Sequence, residues 1–230
     1  MATKRSTSTS ASCSPSPIFL NGSTTCTATV TDTDTPTFVT PTGTVTWTGG
    51  VGGTFSPVSC TLSGSGASAT CSVTYTATTV GVHPIIAMYS GDANHFPSTS
   101  PAFSLPVLYK FTGFLPPVVY TDVPSPLNGA NAGATVAMKW QLQDVFGNYV
   151  TSTSTVLAMS IFEIPCAGAP VGVLIDPFAD PAGGSTLRYD STANQFIFNW
   201  KSLKEWAGKC HQFRLFLNDG SEHYANFNWH

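Results

Sequence analysis

Over its last quarter, Ser185 to His230, the chain repeats apolar side chains largely at every second position. Leu187 and Tyr189 come first, then Phe196, Phe198 and Trp200, then Phe213, Leu215 and Leu217, with Tyr224, Phe227 and Trp229 at the end. Successive side chains of an extended strand point to opposite faces, so this period buries one face and wets the other; a helix needs spacings of three and four. Asp190 to Asn194 interrupts the first pair of runs and Asn218-Asp219-Gly220 the second, both rich in residues that tolerate positive φ. The stretch therefore predicts two β-hairpins.

The same grammar governs the rest. Strand-like runs at Thr7–Ser12, Thr24–Thr31, Gly43–Thr48, Val58–Leu62, Ala67–Tyr75, Gly81–Tyr89 and Ser100–Leu108 are separated by Pro, Gly, Asn and Asp clusters. Short strands about every ten residues predict an antiparallel sandwich. Further on, Tyr109–Gly113, Ala134–Asp144 and Thr155–Ile164 read as strands; in the second, Val136, Met138, Trp140 and Leu142 share one face, while Ala137, Lys139, Gln141 and Gln143 share the other. Lys139 is thus expected to face water. Pro116 to Gly133 is too broken for a regular element and reads as a long surface loop or an extended edge segment. The chain has 230 residues, more than the commonest domain size of about 100–150. Leu105 to Lys110 joins its halves without a Gly/Ser linker. The expectation is an all-β protein of two tandem antiparallel β-sandwich domains, residues 6–107 and 108–230, set end to end as a semi-rigid rod.

Charged residues make up only 9 % of the chain, and between Arg5 and Lys110 the formal charges are Asp32, Asp34 and Asp92. A net charge of −3 without a basic stripe excludes the electrostatic footprint of a nucleic-acid or anionic-lipid partner. No run approaches the roughly 20 apolar residues of a membrane-spanning helix. Met1-Ala2-Thr3-Lys4-Arg5 leads into Ser and Thr rather than an apolar segment, so no signal peptide is expected in this stretch. Six cysteines nevertheless argue for an oxidising, extracellular or cell-surface location.

Ser65-Gly66 sits midway between Cys60 and Cys71, and a hairpin there places the two sulfurs on opposed strands. Cys13 and Cys26 bracket another hairpin whose connection includes Asn21-Gly22, and Cys166 and Cys210 remain for each other in the second half. Loops of the first two sizes stabilise by about 3 kcal/mol in the chain-entropy picture. The spacings lack the CxxC pairs of a zinc site.

Cys13-Ser14-Pro15, Thr25 to Val30, Pro41 to Trp47, Ser59 to Gly64 and Tyr89-Ser90-Gly91-Asp92-Ala93-Asn94 resemble, in order, the bacterial Ig-like repeat of large secreted and surface proteins. That resemblance implies an Ig-like sandwich and a stalk, spacer or adhesive role, with no site of its own. The second half resembles the PxKF-type domain found at the C-terminal ends of secreted bacterial proteins. The residues that carry this are Phe111 to Val118, Lys139-Trp140, Leu187 to Asp190, Trp200-Lys201, Trp206 to Cys210 and Leu217 to Gly220. Ala137 stands where that family has proline, and the resemblance implies no activity.

No nucleophile elbow or catalytic constellation is present, so no catalytic, cofactor or metal residue is assigned and the chain is expected not to be an enzyme. His95, His211 and His223 read as surface or turn residues. Asp32, Asp34, Asp144, Asp176 and Asp180 read as turn-capping loop residues, with calcium as the alternative. Gly49 to Gly53 lacks the context of a phosphate loop and reads as a hairpin connection. Trp47, Trp140, Trp200 and Trp229 are in phase with apolar strand faces; Trp206, in the loop Lys204–Gly208, is the candidate exposed contact residue. The leading expectation is an extracellular structural module, a stalk segment or a subunit of a filament, with self-association or neighbouring surface-protein domains as partners. The alternatives are an adhesin or glycan-binding module, or a virion decoration protein.

Overall fold

The computed structural model describes residues 3–119, 127–166, 173–176 and 186–230. The chain divides into two compact units, Met1–Leu108 and Tyr109–His230, and among the described residues the regular secondary structure is nearly all strand.

In the first unit one sheet holds β1 (Thr7–Ser14), β3 (Ser23–Asp32), β8 (Ser68–Ala77) and β5 (Gly53–Ser56) in that order, with β7 (Ser63–Ser65) also on β8. The other runs β2 (Ile18–Phe19), β11 (Phe103–Leu108), β9 (Gly81–Tyr89), β4 (Thr44–Thr48), β6 (Ser59–Thr61), with β10 (Ser98–Thr99) against β9. Alternating residues of both sheets, among them Val30, Val45, Trp47, Tyr75, Ile85 and Leu105, form one buried core. Pairing is antiparallel except where β2 lies parallel to β11. Four short strands go beyond the predicted runs, β2, β5, β7 and β10; β7 carries no apolar residue and β5 only Phe55. The Gly49 to Gly53 connection leads into β5; at Gly52, φ is 103° and a Cβ would collide with Thr79 Oγ1, so glycine is required there.

Cys13 and Cys26 are opposed on β1 and β3 and joined. Cys60 and Cys71 are also joined, though not across a hairpin. The turn lies at Gly66-Ala67, with Ser65 opposite Ser68. Before it the chain has crossed sheets: Leu62 enters the core and Cys60 pairs with Val45 on β4. This bridge therefore ties one sheet to the other.

The second unit has a sheet of β12 (Lys110–Phe114), β14 (Thr135–Gln143), β18 (Gln195–Lys201) and β17 (Arg188–Asp190). Facing it is a five-stranded sheet ordered β13 (Leu127–Ala130), β20 (Glu222–Trp229), β19 (Cys210–Leu217), β15 (Val156–Ile164) and β16 (Val173–Asp176). The two hairpins of the last quarter form, but they belong to different sheets: β17–β18 to the first and β19–β20 to the second. Their inward aromatic residues consequently meet each other. Trp200 packs 5.5 Å from Phe213, 5.2 Å from Phe227 and 5.2 Å from Trp229, centroid to centroid. Within Pro116 to Gly133, β13 is an edge strand, parallel to β20. Asp176 ends a strand rather than lying in a loop, and Asp180 is outside the described residues. Cys166 bridges to Cys210, the first residue of β19.

Candidate functional site

Trp206 is not exposed, which corrects the sequence expectation. A 3-10 turn, Lys204–Trp206, folds its indole inward to 7 % exposure, stacked 4.3 Å from the His211 ring and 5.8 Å from Trp229. Gly208, at φ 78°, reverses the chain and donates its N–H to the Trp229 carbonyl at 2.8 Å, holding the turn against the sheet. Strand phase does not extend into such a turn, so the sequence pattern leaves this tryptophan's orientation undetermined. With Trp206 in the core, a glycan contact at that position has no exposed ring to offer.

His211 is the second correction: it is fully buried, with neither ring nitrogen hydrogen-bonded. The imidazole stacks on Trp206 and lies tilted 6.5 Å from Trp229, centroid to centroid. Burial, chiefly, pushes its pKa down to about 4. The unfolded chain therefore binds a proton near pH 6.5 that the folded chain takes up only near pH 4. Stability of the second unit is full above about pH 6.5 and is expected to fall by on the order of 2–3 kcal/mol between there and pH 4. His211→Phe keeps the stacking and removes the titration, so urea midpoints of this variant should lose that slope.

His95, expected as a surface or turn residue, does lie in the 92–95 turn but is wholly buried in the first unit within a charged cluster. Its Nδ1 lies 2.8 Å from Asp92 Oδ1 and its Nε2 is 3.1 Å from the Val39 carbonyl. Arg5 Nε donates to Asp32 Oδ2 at 2.6 Å, and the same guanidinium reaches the carbonyls of Asp34 and Thr37. The Arg5 bond, with amide donations from Val39 and Asp34, holds the Asp32 carboxyl far below its ordinary range. Burial pushes Asp92 up, but donors from Thr42, His95 and Asn94 outweigh it and leave that carboxyl low as well. These two carboxylates stabilise above about pH 4, and the contribution is lost as pH falls below that. The cluster knits the segment before β1 to the 34–39 and 92–95 loops. Its groups are occupied with one another.

Among the described residues, no three His, Cys, Asp or Glu side chains gather to hold a metal ion. Asp144 caps its own turn, accepting from the amides of Phe146 and Asn148 at 2.9 Å each. Asp34 accepts the Ser6 amide at 2.9 Å. His223 is half-buried and stacked on Phe111 at 3.8 Å. Lys139 is half-buried on the outer face of β14.

Among the described residues of the second unit, two concavities stand out. A cleft of about 490 Å³ runs between Val118, Val119, β13 and the start of β14. The Asn128 amide on its wall is engaged by Val119 and the Asn226 carbonyl. The second is an open depression of about 260 Å³ on the outer face of β19 and β20, lined by Gln212, Arg214, Glu222 and Tyr224. Arg214 lies directly opposite Tyr224 across the ladder. Its guanidinium sits 3.8 Å over the Phe162 ring, donates from Nε to Gln212 Oε1 at 2.5 Å and from Nη1 to Glu222 Oε1 at 2.9 Å. Buried Gln212 completes the chain by donating to Asn226 Oδ1 at 2.9 Å. The sequence reading passed over these residues because they occupy the polar phase of strands. The available signal was polar side chains of unusual size and planarity recurring opposite one another.

The bacterial Ig-like domain (group 3) family matches residues 9–108, within the first unit. No curated protein sequence matches the chain. Among solved structures, the Yersinia pseudotuberculosis adhesin InvE is similar at 16 % identity and TM-score 0.31, over 96 % of this chain and 58 % of that one. Invasin, a bacterial integrin-binding protein, is similar at 13 % identity and TM-score 0.35, over 96 % of this chain and 39 % of that one. SGBP-B of the Bacteroides ovatus mixed-linkage glucan utilization locus, solved with a mixed-linkage heptasaccharide, shares 9 % identity at TM-score 0.24, over 97 % of this chain and 60 % of that one. The chain thus spans less than two thirds of each of these structures.

Proposed function

We propose that the chain is a non-enzymatic extracellular structural module, a stalk segment or a subunit of a surface assembly, in which an Ig-like unit precedes a PxKF-type terminal unit. The observation that carries this reading is the use to which the polar chemistry is put. All six cysteines are paired within their own units. The buried charged cluster, Arg5–Asp32 with Asp92–His95, closes loops over the end of a sandwich. Reactive side chains are thus used as fasteners, which suits a module that must persist in an oxidising medium.

The assembly form of this role is supported by the edges. β1 is an edge strand of eight residues, TSTSASCS, without charge or proline. Soluble proteins ordinarily blunt such edges with charge, bulges or proline. Sedimentation velocity of the oxidised chain over a wide concentration range is expected to show reversible association, weakened by Ser10→Lys at the centre of β1. A chain that stays monomeric throughout overturns the assembly form and leaves the spacer role.

A further inference from the structure

We infer that the outer face of the β19–β20 ladder, around Arg214, Glu222 and Tyr224, is a binding site for a neutral pyranose unit of a polysaccharide. This goes beyond the structural role proposed above and does not depend on it.

A pyranose presents an aliphatic C–H face and a rim of hydroxyls, each at once donor and acceptor. A site for it needs a flat aromatic surface beside a donor and an acceptor held close together, with little net charge. Tyr224 is half-buried, lines the depression and supplies the ring. The directly opposed Arg214 and the exposed Glu222 supply donor and acceptor, fixed 2.9 Å apart so that adjacent hydroxyls can span them.

Preorganisation separates this pair from an ordinary surface ion pair. Exposed pairs contribute little because two long side chains must be ordered to make them. Here Phe162 beneath, Gln212 beside and Glu222 across already hold the guanidinium, and Gln212 is itself buried and bonded to Asn226. A ligand meets a polar edge whose ordering cost is met in the fold.

Charge decides the class of sugar. Glu222 neutralises Arg214 at the site and the whole chain carries −3, so a sulfated or uronic polymer finds no uncompensated cation. A depression of about 260 Å³ is below the roughly 300–1,000 Å³ of drug-sized pockets and suits one ring. Its open form lets the neighbouring units of a polymer run on across the sheet.

Native affinity electrophoresis of the full chain tests this, in gels containing a soluble β-1,3-glucan, glycogen, galactomannan or, as the anionic control, polygalacturonate. Retardation by at least one neutral polymer is expected. In that gel Tyr224→Ala and Glu222→Ala should each weaken binding about tenfold, a loss typical of removing a central contact residue, while Tyr224→Phe stays within about threefold. Glu222 is exposed, so its variant keeps the fold if the tyrosine variant does not. No retardation by any neutral polymer, retardation by polygalacturonate alone, or unchanged retardation of folded Glu222→Ala overturns the inference. None of these outcomes bears on the sedimentation behaviour that tests the structural role.

Discussion

Trp200→Ala is expected to lower the unfolding free energy of the second unit by about 3–5 kcal/mol, a third or more of what an ordinary domain possesses. The indole is fully buried, and its ring meets Trp206, Phe213, Phe227 and Trp229 within 5.7 Å. Those partners come from the opposite sheet and the Lys204–Trp206 turn, so the hole opens where the sheets face each other. Neighbouring rings are held by their own strands and cannot collapse into it. The indole N–H has no hydrogen-bond partner, so the loss is one of packing and apolar burial rather than of polar pairing. Trp200→Phe, which retains an aromatic plate, should cost distinctly less. Urea denaturation of both variants measures the difference; a loss under about 1 kcal/mol for the alanine variant would show that the aromatic cluster is not the keystone of this unit.

Removing the Cys166–Cys210 bridge by paired serine substitution is expected to cost about 4 kcal/mol in the chain-entropy picture, against about 3 kcal/mol for either bridge of the first unit. The ranking follows from loop length: the sequence separations are 44 residues here, and 13 and 11 there. Cys166 lies just beyond β15, and Cys210 pairs with Ile164 at the start of β19, so the bridge clamps the end of that ladder. Its loss should also loosen the adjacent His211–Trp206 stack. Denaturant midpoints of the three double-serine variants check the order. Equal losses from all three would show that native-state strain or unfolded-state structure outweighs loop entropy.

Most strands were legible because a period of two along a half-buried strand is a local property. Val136, Met138, Trp140 and Leu142 announce their face without knowledge of what covers it. Very short strands escape that pattern, among them β5, with Phe55 as its one large apolar residue, and β7, with none; both exist because β8 offers them an edge. Cysteine spacing pointed to a Cys60–Cys71 hairpin bridge but left connectivity in the first unit open, and the route of that bridge was not legible. Whether a short segment continues a hairpin or crosses to the other sheet depends on Leu62 finding the core and Cys60 finding Val45.

The candidate sites divide in the same way. Composition and alternation act along the chain, and they establish an all-β protein, poor in charge and with six cysteines suited to bridges. Long-range packing buries Trp206, His95 and His211 and puts the aromatic hairpins of the last quarter on opposite sheets, where they meet as one core. It alone brings Arg214, Glu222 and Tyr224 onto one outer face. The physical reason is common to all of these. Burial and adjacency are set by which sheet a strand joins and by how a turn folds back, and neither is encoded in the period of the strand itself.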